Sequence, residues 1–533
     1  MQTIEVLVLL LAVTAAAAVV ANRLQIPAAI VLVLTGVVLA LIPWLPAVHL
    51  SPELVLLMVL PPLIYSSAVA MSWREFRFNL RPISLLAVGG VLFTTVAVAA
   101  ACHWWMGFAW PVGFVLGAIV SPPDAVAPLA VARRLRLPRR ILVVLEGEGV
   151  ANDATALVLY RFAVVAVSVQ MFSLGKAAAL FVAIVAGEIV WGIGVGWLML
   201  RLRHWVRDPR TEITLAFITP FLAYWPPEHL GGSGVLATVS AGLYISWNGL
   251  RLISAATRLQ GIFFWDFFIY LIESMVFLIT GLQARTLIER VGDGPLSQLA
   301  LFAAIVCAVV IAARFVWMYP ATYVPRWLSA DLRRRDPAPP WQWPFALAFT
   351  GVRGIVSLAA ALALPLATAD GQPFPQRDLI LFLTFSVILV TLVGQGLLLP
   401  ATMRWLGLAQ AGHKERHADR VQENTARRQA IEAAMQRLDQ LAAERHLPPE
   451  LLEPLRLRHR ERLKHVPGSG ETAAGDRRLG ELADDIELQL VAAERDHINN
   501  LSRDGEIRDE PRRRIERDLD LREARIANRR SEG

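Results

Sequence analysis

Apolar stretches dominate the first 410 residues and most constrain what this chain can fold into. Each is close to the about 20 residues that an α-helix needs to cross a bilayer, and 55% of the whole chain is hydrophobic against 18% charged. In lipid only helices and closed barrels satisfy their own backbone hydrogen bonds, and stretches of this length favour helices. The sequence therefore predicts an all-α polytopic membrane protein with about 13 transmembrane helices. The predicted spans lie near residues 4–21, 26–44, 52–71, 83–109, 112–133, 141–168, 177–200, 211–226, 233–248, 263–284, 297–320, 342–369 and 378–403.

Basic residues in the predicted loops indicate the orientation of the spans. Loops after odd-numbered spans contain 19 arginines, whereas loops after even-numbered spans contain only Lys176, Arg285, Arg290 and Arg377. Because cytoplasmic loops are enriched in Lys and Arg, we expect the N-terminus outside and the C-terminus in the cytoplasm. We expect a multi-pass protein of the inner (plasma) membrane, in contact with the lipid bilayer. The surplus of basic residues belongs to these loops, so we expect no nucleic-acid partner.

Two of the predicted spans contain helix-breaking residues. The fifth includes Gly117-Ala-Ile-Val-Ser121-Pro-Pro-Asp124, and the twelfth includes Thr350-Gly-Val-Arg353-Gly354. Proline removes backbone donors, and a broken helix is tolerated at membrane depth only against protein or a watery cavity. A matched pair of interrupted spans is typical of inverted-repeat transporters and predicts two interrupted crossing helices. The alternative is that Pro122 and Pro123 only kink a bundle helix.

The apolar character ends near residue 411, which predicts a second domain. We assign residues 1–410 to a transmembrane domain and residues 411–533 to a cytoplasmic helical tail. Amphipathic stretches from Ala418 to Arg445 and from Thr472 to Leu501 predict helices in this tail, with a break at Pro467-Gly-Ser-Gly470. Its mixed charge is compatible with a regulatory or oligomer-supporting role and equally with solvated helices that have no dedicated role.

Acidic residues inside the predicted spans identify the candidate functional site. In the sixth span Glu148 and Asn152 share a helix face and Asp153 follows, while Ser121 and Asp124 lie in the break of the fifth span. A charged group in lipid costs roughly 3 kcal/mol or more and by default marks an ion or proton path. Carboxylate, amide and hydroxyl oxygens suit a hard monovalent cation. We therefore expect Asp153 to bind this metal ion and a proton in competition, with the other oxygens completing the site, and to exchange one cation per proton.

Charged residues elsewhere in the spans require partners. We expect Glu148 to pair with Arg314 and to brace the site, with direct contact to the ion as the alternative. Arg353 would either offset exposed helix ends at the second break or repel cations from a wrong route. Glu188 and Glu273 either line a proton path or lie near span ends beside a basic residue.

These motifs together resemble the bacterial sodium/proton antiporters of the first monovalent cation/proton antiporter family, relatives of the animal sodium/proton exchangers. The resemblance covers about residues 1–410 and implies a homodimer of inverted repeats, in which a mobile core moves past a scaffold like an elevator, with electroneutral exchange. It also implies that Asp153 carries the ion and the proton, that Asn152 orients it, and that Glu148 pairs with a later arginine, which fits Arg314. The matching motifs are GAIVSPPDAVA from Gly117, EGEGVANDATALV from Glu146, Phe264-Trp265 with Gly281-Leu-Gln283, and Gly351-Val-Arg-Gly354.

Gly149 is the main departure from this resemblance, because many relatives have serine directly after the glutamate. Its missing hydroxyl leaves the cation open between sodium, which we favour, lithium and potassium. A potassium/proton exchanger and a proton-coupled exchanger of another substrate are the alternatives, and a cation channel is a weaker one because no filter motif or arginine ladder appears. The sequence contains no HExxH or GxxxxGK[ST] motif, so we expect neither an enzyme nor a cofactor.

Overall fold

The computed structural model describes residues 3–42, 54–168, 174–206, 208–290, 295–368, 371–464, 473–503, 507 and 509–532. Within these ranges the regular secondary structure is helical, which confirms the predicted all-α class. The chain forms two compact units, Met1–His413 and Lys414–Gly533. The predicted break at Pro467-Gly-Ser-Gly470 lies outside the described residues.

The first half of the first unit runs from the N-terminus to the long polar helix that carries Asp153. Short π-helical segments at Val55–Val59 and Leu85–Gly90 lead directly into α3 and α6. The helices are α1 (Thr3–Leu24), α2 (Ala28–Ala40), α3 (Leu60–Ala70), α4 (Trp73–Phe78), α5 (Leu80–Ser84), α6 (Val91–Met106), α7 (Trp110–Val120), α8 (Val126–Arg134) and α9 (Arg139–Ser168).

The second half of this unit contains three helices of more than 30 residues. A π-helical segment at Val390–Gln395 joins its last two helices into one rod. The helices are α10 (Leu174–Trp205), α11 (Pro209–His229), α12 (Val235–Leu252), α13 (Ala255–Arg290), α14 (Leu296–Leu328), α15 (Ala330–Arg335), α16 (Gln342–Phe349), α17 (Ile355–Leu362), α18 (Arg377–Leu389) and α19 (Gly396–Trp405).

Several of these helices have the length and composition of membrane spans. Among the described residues six helical stretches meet both criteria, and four shorter apolar helices accompany them. Each of the predicted spans overlaps a helix or an interrupted pair of helices, although the number of crossings stays a prediction. The six stretches are Leu80–Met106, Arg139–Val167, Val182–Trp205, Ala256–Leu287, Leu296–Leu328 and Arg377–Trp405.

Both predicted interruptions are present. α7 ends at Val120 and α8 begins at Val126, and α16 ends at Phe349 before α17 begins at Ile355. In the first break two consecutive prolines remove two backbone donors, so the helical hydrogen bonds cannot continue through them. The result is a non-helical segment of residues 121–125 rather than a kink in a continuous helix.

Small residues allow the helices around the breaks to approach closely. α7 packs against α6, where a Cβ on Gly117 would come within 2.4 Å of the Thr95 carbonyl oxygen. α2 packs against α13, where a Cβ on Gly36 would come within 2.2 Å of the Leu278 carbonyl oxygen. Close backbone contact of this kind is what holds helices together in lipid. α9 lies among α7, α8 and α12, so protein encloses its polar face.

The second unit consists of the continuation of α20 (Leu408–Arg445) and of α21 (Pro449–Lys464), α22 (Ala473–Arg503) and α23 (Asp509–Glu532). α22 and α23 pack through the buried side chains of Val491, Leu519 and Ile526. The guanidinium of Arg495 pairs with Asp520 and Glu523 across the same two helices. This unit therefore has a small apolar seam of its own.

Candidate functional site

The two helix breaks are joined by a backbone hydrogen bond. The N–H of Asp124 in the first break donates to the carbonyl of Val352 in the second, at 2.7 Å. Gly354 permits this approach, because a Cβ there would lie 1.7 Å from Oδ2 of Asp124. Non-helical backbone leaves polar groups unsatisfied unless something pairs with them. The second break therefore supplies the acceptor for a backbone N–H of the first break, and the first break supplies the donor for a carbonyl of the second.

Arg353 satisfies the helix ends that the first break exposes. Its Nε donates to the Val120 carbonyl at 3.0 Å and its guanidinium also reaches the carbonyls of Ser121 and Gly351. The side chain is 1% exposed. The carbonyls at the C-terminal end of a helix carry partial negative charge, which a cation stabilises. Of the two roles left open by the sequence, the contacts of Arg353 correspond to offsetting the end of α7.

The side chains of Asp124 and Ser121 each form a hydrogen bond with a backbone group next to the first break. Oδ1 of Asp124 accepts the N–H of Val126 at 2.9 Å, at the start of α8. A carboxylate at this position stabilises a helix N-terminus. The buried hydroxyl of Ser121 donates to the Ala118 carbonyl at 3.2 Å. Both residues thus have structural contacts in addition to any contact with an ion.

Asn152 and Asp153 face the first break from α9 and retain free oxygens. Nδ2 of Asn152 donates to the Pro123 carbonyl at 2.7 Å. A carbonyl only accepts hydrogen bonds, so the amide oxygen Oδ1 must point elsewhere; it is buried and has no partner within the described ranges. The half-buried carboxylate of Asp153 forms no hydrogen bond or ion pair with any described residue, although it is close enough to Asp124 to interact electrostatically. The carboxylate of Asp153 and the amide oxygen of Asn152 therefore both still have capacity for a partner.

Glu148 and Arg314 form a two-point ion pair between α9 and α14. Nη1 and Nη2 of Arg314 contact Oε1 and Oε2 of Glu148 at 2.6 and 2.9 Å, and both side chains are less than one-tenth exposed. The Leu347 carbonyl on α16 accepts from Nε and Nη2 of the same arginine. This parallel geometry is the strongest form of arginine–carboxylate contact. Both carboxylate oxygens of Glu148 are therefore occupied by the arginine.

A small cavity lies on the Glu148 side of the first break. It has a volume of about 10 Å³, which is room for about one water molecule. Ser121, Pro123, Glu148 and Arg314 line it together with apolar residues of the π-helical segment, α6 and α14. Asp153 does not line this cavity. Ser121, an expected ligand, and Glu148, the expected brace, thus line the same small space.

Gly149 lies where α9 meets the first break. A Cβ at this position would come within 2.6 Å of the Ala125 Cβ. Real Cβ atoms almost never approach so closely, so the segment around Ala125 occupies the space that a serine side chain would need. At this position α9 and the first break therefore lie closer together than a serine side chain on α9 would allow.

The secondary acids have different surroundings. Glu188 is buried and accepts the N–H of Ser233 at 2.6 Å and its hydroxyl at 3.3 Å, rather than pairing with a basic residue. Arg161, further along α9, instead pairs with Glu228. Glu273 on α13 has no hydrogen bond or ion pair to any described residue and lies within electrostatic reach of Asp124.

Several groups that complete the site do not stand out in the sequence. The N–H of Arg353 donates to the buried hydroxyl of Thr391 on the last long span at 3.0 Å. A threonine within an apolar run, which also contains Thr384, is the only sequence signal for this contact. The carbonyls of Pro123, Leu347 and Val352 have no sequence signal at all, because every residue carries one.

Comparison with known proteins identifies the family of the chain. The transmembrane sodium/hydrogen exchanger family matches residues 7–405. A Na(+)/H(+) exchanger of Mycobacterium tuberculosis is 34% identical over 527 residues, which cover 98% of this chain and 96% of the relative. The sodium, potassium, lithium and rubidium/H(+) antiporter of Bacillus pumilus is 33% identical over 387 residues, which cover 70% of this chain and 57% of that protein. The resemblance inferred from the motifs is thereby confirmed.

The fold is also shared with a solved structure. The sodium proton antiporter MjNhaP1 from Methanocaldococcus jannaschii superposes with a TM-score of 0.60 at 19% sequence identity, over 77% of this chain and 99% of that chain. The helical membrane architecture therefore holds although few residues are identical. The chain belongs to the transmembrane sodium/hydrogen exchanger family and is a membrane-embedded transporter that exchanges a monovalent cation for protons.

Proposed function

We propose that the protein is a sodium/proton antiporter in which Asp153 binds either one sodium ion or one proton. The observation that carries this proposal is the unpaired carboxylate of Asp153 beside the unpaired Oδ1 of Asn152. Sodium prefers oxygen ligands, and a carboxylate that binds sodium must first lose its proton. Competition for one group therefore couples the two ions. Asp124 completes the site through its second carboxylate oxygen, and Glu148 with Arg314 supports it.

The charges of the site favour one-for-one exchange. The two breaks, the facing turn of α9 and the arginine paired with that turn together contain two cations, Arg314 and Arg353, and three acids, Glu148, Asp124 and Asp153; Glu273 of α13 lies outside this group. One sodium ion or one proton on Asp153 brings this group to the same net charge of zero. Moving charge through lipid is costly, so both loaded forms cross readily and the empty, negatively charged form does not. Exchange then carries no net charge.

The proposal extends to location and assembly. Arg81, Arg140 and Arg326 come from three loops predicted to be cytoplasmic, and all three contact Asp336. This shared contact supports placing these loops on one side of the plasma membrane, with the N-terminus outside and residues 411–533 as a cytoplasmic tail. Only 22% of the most apolar stretch of α13 is buried, and exposed side chains of its first half, such as Phe263 and Phe267, are available for contact with a second copy in a homodimer. The protein acts as a transporter and not as an enzyme.

The test is transport by the purified full chain in liposomes that enclose a pH dye. With the membrane voltage clamped, external sodium should make the interior more alkaline in the wild type, and Asp153→Asn should abolish the signal. Asp331→Asn is the matched control, since this aspartate is 71% exposed outside the membrane helices, and it should leave transport unchanged. A wild type without sodium-evoked proton movement, or an unaffected Asp153→Asn, would contradict the proposal. A steady current would contradict one-for-one exchange.

A broader exchanger of monovalent cations is the second candidate. The Bacillus pumilus relative is named for sodium, potassium, lithium and rubidium, and Gly149 provides no hydroxyl ligand that would narrow the choice. The same liposomes with potassium or rubidium in place of sodium distinguish the two. Equal proton movement with all these cations would replace the sodium assignment by the broader one.

A further inference from the structure

A cluster of arginines and one aspartate lies away from the ion site, where α5 and the ends of α9 and α14 meet the residue that follows α15. Asp336 accepts Arg81 Nη2 at 2.6 Å, Arg140 at 2.8 and 2.9 Å, and Arg326 Nη2 at 2.8 Å. Burial alone would raise the pKa of Asp336, but the hydrogen bonds from Arg140 and the charges of all three arginines more than offset it, and the pKa lies below its ordinary value. The aspartate is therefore ionised, and the cluster carries two uncompensated positive charges.

The three arginines also line a cavity within the first unit. Its volume is about 50 Å³, several times the about 10–15 Å³ that one water molecule needs. Apolar side chains, among them the buried Leu86 and Met318, form much of the remaining wall. The cavity is thus lined by both positively charged and apolar groups.

The donors of the cluster are not all used. Arg326 is 6% exposed and directs its three nitrogens to Asp336 and the Thr322 carbonyl, so it is a structural member of the cluster. Arg81 is different, since its Nη1 is buried and has no hydrogen-bond partner among the described residues. Leaving a charged donor buried and unpaired is costly. Both the excess charge and the open donor point to a missing anion.

We propose that this arginine cavity binds a phosphate-type oxyanion, held by Arg81 and Arg140. Arginine matches the geometry of phosphate oxygens with paired donors. Two sources offer this chemistry: the headgroup phosphate of an anionic lipid, whose acyl chain would follow the apolar wall, and a free phosphate. Basic pockets between membrane helices on the cytoplasmic side are suited to lipid headgroups.

The position of the cavity shows what the ligand would stabilise. Arg140 lies on α9 two turns before Glu148, and Arg326 lies on α14 beyond Arg314. The cavity therefore joins the ends of the same two helices that the buried ion pair joins within the membrane. Leu347, which lines the cavity, also supplies the carbonyl that binds Arg314. An anion in the cavity would hold α9 and α14 together at a second point.

The test uses the full chain in neutral detergent and measures the midpoint of thermal unfolding by tryptophan fluorescence. Inorganic phosphate is compared with chloride at equal ionic strength, and phosphatidylglycerol with phosphatidylcholine in mixed micelles. We expect at least one comparison to raise the midpoint of the wild type by about 2 °C or more. A rise with phosphate indicates a free oxyanion, and a rise with phosphatidylglycerol alone indicates a lipid headgroup. This readout involves no transport and is independent of the exchange mechanism.

Two variants and a control connect the response to the cavity. Arg81→Gln removes the open donor, and Ala321→Phe fills the cavity while keeping every charged residue; both should lose the rise. Arg335→Gln removes the same charge from an 80% exposed residue outside the cavity and should keep it. If Arg81→Gln does not fold, Ala321→Phe decides the matter. No rise in the wild type, or a full rise in Ala321→Phe, would overturn the proposal.

Discussion

Replacing Glu148 by glutamine tests whether the buried ion pair braces the ion site. The guanidinium of Arg314 contacts Glu148 at two points, and the two side chains are 8% and 3% exposed. Removing one partner of a buried pair typically costs about 3–5 kcal/mol, because the other charge stays buried without compensation. Glutamine keeps one acceptor oxygen, and the Leu347 carbonyl still binds the arginine, so we expect the lower end, about 3 kcal/mol. That corresponds to a change of roughly 150-fold in the unfolding equilibrium.

Glu146→Gln is the matched control for this experiment. It makes the same change two residues earlier in α9, where Glu146 pairs with Arg133, whose side chain is 63% exposed. An exposed pair contributes only about 0–1 kcal/mol. Unfolding of both variants in a denaturing-detergent titration, followed by fluorescence, should therefore separate them clearly. Equal midpoints for the two variants would refute the bracing role, and a wild-type midpoint in Glu148→Gln with altered cation affinity would favour direct ion contact. Adding Arg314→Met to Glu148→Gln should recover part of the loss, since the uncompensated charge is then gone.

Three further changes address the breaks and the arginine cluster. Gly354→Ala should cost about 1–3 kcal/mol of stability and reduce transport, because the new Cβ collides with an aspartate of the facing break, whereas Gly394→Ala, at a position with open space, should do neither. Gly149→Ala should lower stability by a similar amount, and adding Ala125→Gly should restore it; melting of the single and double variants checks this. Asp336→Asn should lower the melting point at neutral pH. Because the folded pKa of Asp336 is depressed, its contribution is present above the ordinary pKa of 3.8 and is lost as the pH falls further, so the difference from wild type should vanish in acid. A difference that persists there would contradict this assignment.

The sequence predicts the helical class and both helix breaks because lipid leaves few solutions. Apolar stretches of spanning length must be helical, and Pro122 and Pro123 cannot continue a helix with all its hydrogen bonds. The pairing of Glu148 with Arg314 can also be predicted from the sequence, since each is a charge within an apolar stretch and needs a partner of opposite sign. These predictions depend on the large free-energy cost of unpaired backbone groups and unpaired charges in lipid.

The details of the site are less accessible because they depend on backbone groups and on small displacements between neighbouring segments. Arg353 has two plausible roles in the sequence, and only its carbonyl contacts in the structure favour one of them. Ser121 lines a small cavity together with Glu148, and no pattern in the sequence indicates that these two residues share it. The convergence of Arg81, Arg140 and Arg326 on Asp336 also has no local signal, since these residues come from separate loops.

The hydrogen bond from Asp124 to Val352 has a mechanical consequence. An unwound segment is ordinarily the point where a membrane helix can flex, and two such segments would give a transporter two independent hinges. Here the 2.7 Å link between them, together with the contacts of Arg353, fastens α7, α8 and α17 to one another. Bending there would break several buried hydrogen bonds at once. The two breaks therefore form one hydrogen-bonded unit and not two independent hinges.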